Sequence, residues 1–151
     1  MSEYITAQTV FKSEHIEQLV AALLDVRPDW SGHIEVHGTP TSLHGYLPRD
    51  TRPDAAHLVI RKQYVGHVSN DLGFRKCPDG TIEALIGEYD QRHGYGQDWL
   101  NRVAQHYAYR VAEKQATRIG ATLSKTVNAD GTWRVVLTKP ERKVWQRGGR
   151  W

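Results

Sequence analysis

Cysteine is almost missing from this sequence. Its 151 residues include one, Cys77, so no internal disulfide can form. That suits a reducing cytosol, and a cytoplasmic location is expected. No apolar run approaches the ~20 residues that a membrane helix needs, so no membrane role is expected. The start, MSEYITAQTVFKSEH, has no apolar segment behind a basic one, and no signal peptide is expected. Internal repeats and low-complexity segments are also missing. The serines show no nucleophile-elbow pattern. The glycines show no phosphate-cradling pattern either. GYGQDW at 94–99 opens a helix but lacks the remaining spacing and the lysine. A helix start there can hold an anion only weakly, through its free N–H groups. These absences argue against an enzyme, and no cofactor is expected.

What is present supports one folded domain. The length is enough for a core of its own, and 39% hydrophobic with 25% charged residues is ordinary globular material. The pI near 9.1 invites a nucleic-acid reading. The charge is unevenly placed, however. From Lys139 to the end, KPERKVWQRGGRW carries Lys139, Arg142, Lys143, Arg147 and Arg150 against Glu141, a net of +4. The whole chain is +3, so residues 1–138 sum to −1. The basicity is a property of the tail.

Residues 4–11, YITAQTVF, alternate as a strand does. Ser13 stands at an N-cap position before Ile16, Leu19, Val20, Leu23 and Leu24, which make one apolar helix stripe. Arg27-Pro28 ends that helix. WSGHIEVHG reads as a second strand. Residues 38–56, with three prolines and two glycines, read as a long loop. HLVIRKQYV reads as a third strand. DLGFRK and TIEALIGEY flank the turn CPDG as a hairpin. A long helix follows, with Asp98 as N-cap, a stripe of Leu100, Val103, Tyr107, Val111 and Ile119, and Gly120 as its left-handed cap. ATLSKTV and TWRVVLTK form a second hairpin around NADG. The expectation is an α+β fold in two layers: an antiparallel sheet of about five to seven strands with two helices packed on one face. Residues 1–138 form the domain and 139–151 a basic tail.

Three stretches, DLGFRKCPDGTIEALIGEYD, WLNRVAQHYAYRVAEKQATRIGATL and NADGTWRVVLTK, together with the opening MSEYITAQTVFKSEHIEQLVAALLDV, carry a family resemblance. They resemble an uncharacterised family of cyanobacteria and algal plastids, known as a hypothetical chloroplast reading frame or a domain of unknown function. The most specific pieces are LGF at 72–74 and LNRVAQHYAY at 100–109. The resemblance covers most of residues 1–138 and excludes the tail and the 38–56 segment. It implies a partner or adaptor role in a multi-component system with an AAA-type ATPase. It implies no catalytic residues.

The candidate sites are few. His33, Glu35 and His37 alternate on one strand face and are the candidates for a metal. At ~3.3 Å per residue, however, His33 and His37 stand about 13 Å apart, too far to share an ion. His33 and Glu35, about 6–7 Å apart by the same rise, could share one. The reading is a polar strand face, with no metal expected. Cys77 lies beside Arg75 and Lys76 but has no local base. In QHYAYR, Tyr107 falls on the apolar stripe, while His106 and Tyr109 lie off it and suit an interface. The tail sets Trp145 and Trp151 among Arg142, Lys143, Arg147 and Arg150. Cations pair with phosphates, and indoles stack on bases or fill a protein pocket. RGGR at 147–150 resembles arginine-glycine segments of RNA-binding proteins.

The expected function is a non-enzymatic adaptor or subunit that binds another macromolecule, a protein. Its contacts are the tail residues with His106 and Tyr109. The alternative is a nucleic-acid-binding module using the same tail. An enzyme comes third; a deep pocket ringed by His33, Glu35, His57 and His106 would revive it. The oligomeric state stays open.

Overall fold

The inner strands of the larger sheet carry short apolar runs. The computed structural model describes residues 11–47 and 51–140. Five antiparallel strands, β1 (Phe11–Lys12), β2 (Ile34–His44), β3 (Thr51–Ile60), β4 (Leu72–Lys76) and β5 (Thr81–Leu85), stand in the order β1-β5-β4-β3-β2. Leu58, Val59 and Ile60 of β3, with Leu72 and Phe74 of β4, are wholly buried. Strands covered on both faces read as continuous apolar runs rather than alternation. The remaining described strands, β6 (Thr122–Val127) and β7 (Trp133–Thr138), pair with each other, so the seven described strands divide into five and two.

The helices are α1 (Ile16–Val26), α2 (Lys62–Val65), α3 (Glu88–Arg92) and α4 (Gln97–Arg118). On α1, Leu19, Ala22 and Leu23 form the buried stripe, and Ile16, Val20 and Leu24 flank it half-buried. The helix ends at Val26, as the Arg27-Pro28 pair requires. Helices pack on the five-stranded sheet, giving the α+β fold. Phe11 of β1 sits edge-to-face between Phe74 (6.2 Å between ring centroids) and Tyr107 of α4 (4.9 Å). The Tyr107 hydroxyl accepts the Lys12 N–H at 2.9 Å. The described residues divide into two compact units between Arg110 and Val111. The first holds the five-stranded sheet, and the second holds the last turns of α4 and the β6–β7 hairpin.

Several expectations need correction. Ser13 does not cap α1. A short 3₁₀ turn, Ser13–His15, precedes the helix, and the Ser13 hydroxyl donates to the Gly80 carbonyl at 2.9 Å instead. Gln97 already belongs to α4, so Asp98 lies in its first turn and is not its N-cap. KQYV is the helical turn α2, not strand. The stretch expected as a loop at 38–56 is strand at both ends, since β2 runs to His44 and β3 starts at Thr51. The glycine and proline are absorbed by a bulge. Between the pairs Val36↔Leu58 and Thr41↔Ala56, β2 has residues 37–40 where β3 has only His57. Pro40 is tolerated because β2 is an edge strand. The first strand is described only at Phe11–Lys12; its expected residues 4–10 lie outside the described residues.

The two hairpin turns are built alike. In CPDGT, Asp79 Oδ1 accepts the Thr81 N–H at 3.0 Å and the Thr81 hydroxyl at 2.6 Å. In NADGT, Asp130 Oδ1 accepts from Thr132 at the same two distances. Gly80 (φ 87°) and Gly131 (φ 86°) occupy the left-handed region that follows each aspartate. At the end of α4, the Ala121 N–H bonds to the Ala116 carbonyl and the Gly120 N–H to the Thr117 carbonyl. This is the double bond pattern of a glycine-capped helix, as the sequence predicts for Gly120.

Candidate functional site

The histidine-bearing strand is organised by an arginine. Arg61, just after β3, grips Glu35 with Nε (2.9 Å to Oε2) and Nη2 (3.1 Å to Oε1). Its Nη1 reaches Asp71 Oδ2 at 2.8 Å and the Ser42 carbonyl at 3.2 Å. His37 Nε2 donates to Glu35 Oε1 at 2.8 Å. The Arg61 guanidinium, against the opposing effect of burial and with help from His37, holds the Glu35 carboxyl below its ordinary value. Asp71 is 1% exposed at its side chain. It accepts the Lys62 N–H on Oδ1 and the His44 N–H on Oδ2, each at 2.8 Å. His33 turns away and stacks on Tyr64, with centroids 4.0 Å apart. The structure therefore joins Glu35 to His37 but not to His33. Among the described residues no three His, Cys, Asp or Glu side chains are grouped so as to hold a metal ion.

His57 is buried on β3, where its Nδ1 accepts the Lys76 N–H at 3.0 Å. That bond fixes the neutral ring with its proton on Nε2. Burial, reinforced by the charges of Lys76 and Arg75, pushes the His57 pKa down. A base with a depressed folded pKa is protonated first in the unfolded chain. Its contribution to stability is therefore complete above the unfolded value, about 6.5, and is lost as pH falls. The urea midpoint is expected to drop between about pH 7 and pH 5, and less so in His57→Phe. Equal drops in the two proteins would show that His57 is not responsible. Glu35 and Asp25 add a second loss at lower pH, because their folded pKa values also lie below the unfolded ones.

His106 sits on the seam between α1 and α4. Asp25 of α1 is held by Arg110 through Nε (2.9 Å) and Nη2 (2.6 Å), and His106 Nδ1 lies 3.4 Å from the same carboxylate. Arg110 first, then His106, keeps the Asp25 carboxyl below its ordinary value. Tyr109 is half-buried. His33, Glu35, His57 and His106 thus each engage a different partner: Tyr64, Arg61, the Lys76 backbone and Asp25. Cys77 is half-exposed in its turn, with Sγ 3.8 Å from the Arg75 carbonyl. A cavity of about 340 Å³ at the start of α4 is lined by Gln91, Gly94, Gly96, Gln97, Asp98 and Trp99. The Asp98 carboxylate already complements the N–H groups of that first turn, which disfavours a bound anion. The tail residues Arg142, Lys143, Trp145, Arg147, Arg150 and Trp151 lie outside the described residues.

The second unit holds what sequence reasoning overlooked. The β6–β7 register sets Leu123, Lys125 and Val127 opposite Leu137, Val135 and Trp133. One face of the hairpin is therefore mostly apolar, and Val127, Val135 and Leu137 on it are exposed. The period-2 alternation of ATLSKTV and TWRVVLT carried that signal. The charge boundary also moves. Residues 111–151 carry nine Lys and Arg against three Glu and Asp, a net of +6, which leaves −3 for residues 1–110. No described helix is long and apolar enough to cross a membrane.

No curated protein and no solved structure matches this chain. One family does match, over residues 32–136, and its description is a protein of unknown function. That span takes in β2 through most of β7, with Arg61, Asp71, His106 and the second hairpin inside it, so the chain belongs to the DUF1257 family.

Proposed function

We propose that the protein is a non-enzymatic adaptor or subunit that binds another protein within a multi-component system. The observation that carries the reading is the exposed apolar face of β6–β7, within a stretch, residues 111–151, of net charge +6. Exposed apolar patches rimmed by polar residues mark interaction surfaces. The carboxylates Glu35, Asp71 and Asp25 each answer to an arginine, which suits ion-pair architecture better than proton transfer. The resemblance to the plastid and cyanobacterial family points to a system with an AAA-type ATPase, and the single cysteine suits a reducing cytoplasm. Trp145 and Trp151, with Arg142, Lys143, Arg147 and Arg150, are further proposed contact residues, and so, in the first unit, are Tyr109 and His106 of α4. The net +4 of residues 139–151 favours a second reading, a nucleic-acid-binding module using the tail.

Affinity capture from the native host separates the two. Full-length protein is compared with a chain truncated after Lys139, each with and without nuclease. The adaptor reading expects a protein partner that survives nuclease and weakens on truncation. Nucleic acid that elutes between low and moderate salt would establish the second reading instead.

A further inference from the structure

We infer that the outer edge of β7 accepts an acidic, amphipathic strand of a partner protein, which becomes the third strand of the small sheet. The inference rests on the adaptor reading and names the chemistry of the partner. Among the described residues, β6 and β7 have no other strand beside them. A lone two-stranded hairpin is marginal in water; a third strand and a covered apolar face are what make such a sheet stable. On the apolar face Val127 is 60%, Val135 39% and Leu137 44% exposed. The opposite face pairs Thr122, Ser124 and Thr126 with Thr138, Val136 and Arg134.

Charge decides the sign of the occupant. Residues 121–140 carry Lys125, Arg134 and Lys139 against Asp130, a net of +2. A second copy would bring the same basic hairpin to this edge, and like charges across strands oppose pairing. An acidic strand is complementary. Added beside β7, it places alternate apolar side chains next to Val135 and Leu137, and alternate carboxylates next to Arg134. Main-chain bonds supply affinity in such strand addition, and the alternation supplies specificity. Nucleic acid fits the surface less well. Bases stack on aromatic faces, and here the aromatic is Trp133, whose ring lies under the Lys125 ammonium at 3.8 Å. The rest of that face is aliphatic.

The test uses the full-length chain, ¹⁵N-labelled, and three probes. These are an alternating valine–glutamate peptide of about ten residues, the same peptide with lysine for glutamate, and an oligouridine of about twelve nucleotides. The expected result is amide shifts concentrated in 122–138 with the acidic peptide, and binding at least about tenfold tighter than for the basic peptide. Val135→Asp is expected to weaken it by at least about tenfold, and Ser124→Asn by less than about twofold. Equal binding of both peptides, tighter binding of the RNA at the hairpin, self-association through β7, or shifts centred elsewhere would each overturn the inference. Val135→Asp could unfold the hairpin, but the wild-type shift map and the charge preference do not depend on it. Host capture with Val135→Asp separates the two levels. A nuclease-resistant partner held at wild-type yield keeps the adaptor reading and removes β7 as its site. No such partner with the wild-type chain removes the adaptor reading itself.

Discussion

Asp71→Ala is expected to lower the unfolding free energy by about 3–5 kcal/mol, the scale for breaking a buried charge pair by removing one partner. Asp71 stands just before β4 and closes three segments onto one carboxylate. Oδ2 takes the His44 N–H at the end of β2 and an Arg61 N–H after β3, and Oδ1 takes the Lys62 N–H that opens α2. Alanine leaves two backbone donors without their acceptor, each worth about 1–3 kcal/mol when stranded. Arg61 then keeps only Glu35 as a charged partner among the bonds described. Asp71→Asn retains one acceptor oxygen but points an N–H₂ at other donors, so its stability should fall between the two. Urea unfolding followed by far-UV circular dichroism measures all three proteins. A loss below about 1 kcal/mol for Asp71→Ala would mean that water replaces the carboxylate there, and that the network is not a buried clasp.

That clasp also shows where sequence reading stops. Local chemistry was legible. The stripe Leu19–Leu23, the stop at Arg27-Pro28, the two Asp-Gly turns and the cap at Gly120 all follow from side chains within a few positions of one another. Ser13 has the right residue type for a cap, yet its hydroxyl is drawn to Gly80, 67 residues away. The 38–56 stretch reads as loop from its prolines and glycines. Whether such residues break a strand depends on whether the strand is an edge, and position in the sheet is not written in the local pattern. Lys62 begins a helical turn, its N–H bonded to the Asp71 carboxylate nine residues on. Glu35 and Arg61 are 26 residues apart. The strand face at 33–37 was read by its alternation, but what decides its chemistry is an arginine just past the end of the next strand. The division of seven strands into two sheets was likewise invisible, because hairpin signals give neighbours and not the assembly of hairpins.

The aromatic residues make the same point at larger energy. Trp30 lies in a single 3₁₀ turn, Pro28–Trp30, and is fully buried. Its ring stacks on Tyr95 (6.1 Å between centroids, planes at 12°) and meets the edge of Trp99 (6.0 Å, 66°). Its Nε1–H donates to the Tyr64 carbonyl at 2.8 Å, and the Arg27 guanidinium lies 4.7 Å from its centroid. Tyr95, whose hydroxyl donates to the Val65 carbonyl at 2.8 Å, ties the same cluster to the end of α2. In the sequence, GYGQDW invites a search for phosphate; in the fold, its Tyr95 and Trp99 wall in Trp30. Trp30→Ala is expected to cost about 3–5 kcal/mol, the range for emptying a buried aromatic site. Trp30→Phe keeps a ring but takes the indole N–H from the Tyr64 carbonyl, leaving it the longer Arg27 bond at 3.4 Å, so its loss should be smaller by at least about 1 kcal/mol. Denaturant unfolding by circular dichroism, with slopes compared to wild type, reads both. Similar losses for the two variants would show that the indole N–H, rather than the filled volume, holds this corner together. A loss under about 1 kcal/mol for alanine would mean that the site collapses around the gap, and that Tyr95 and Trp99 pack equally well without Trp30.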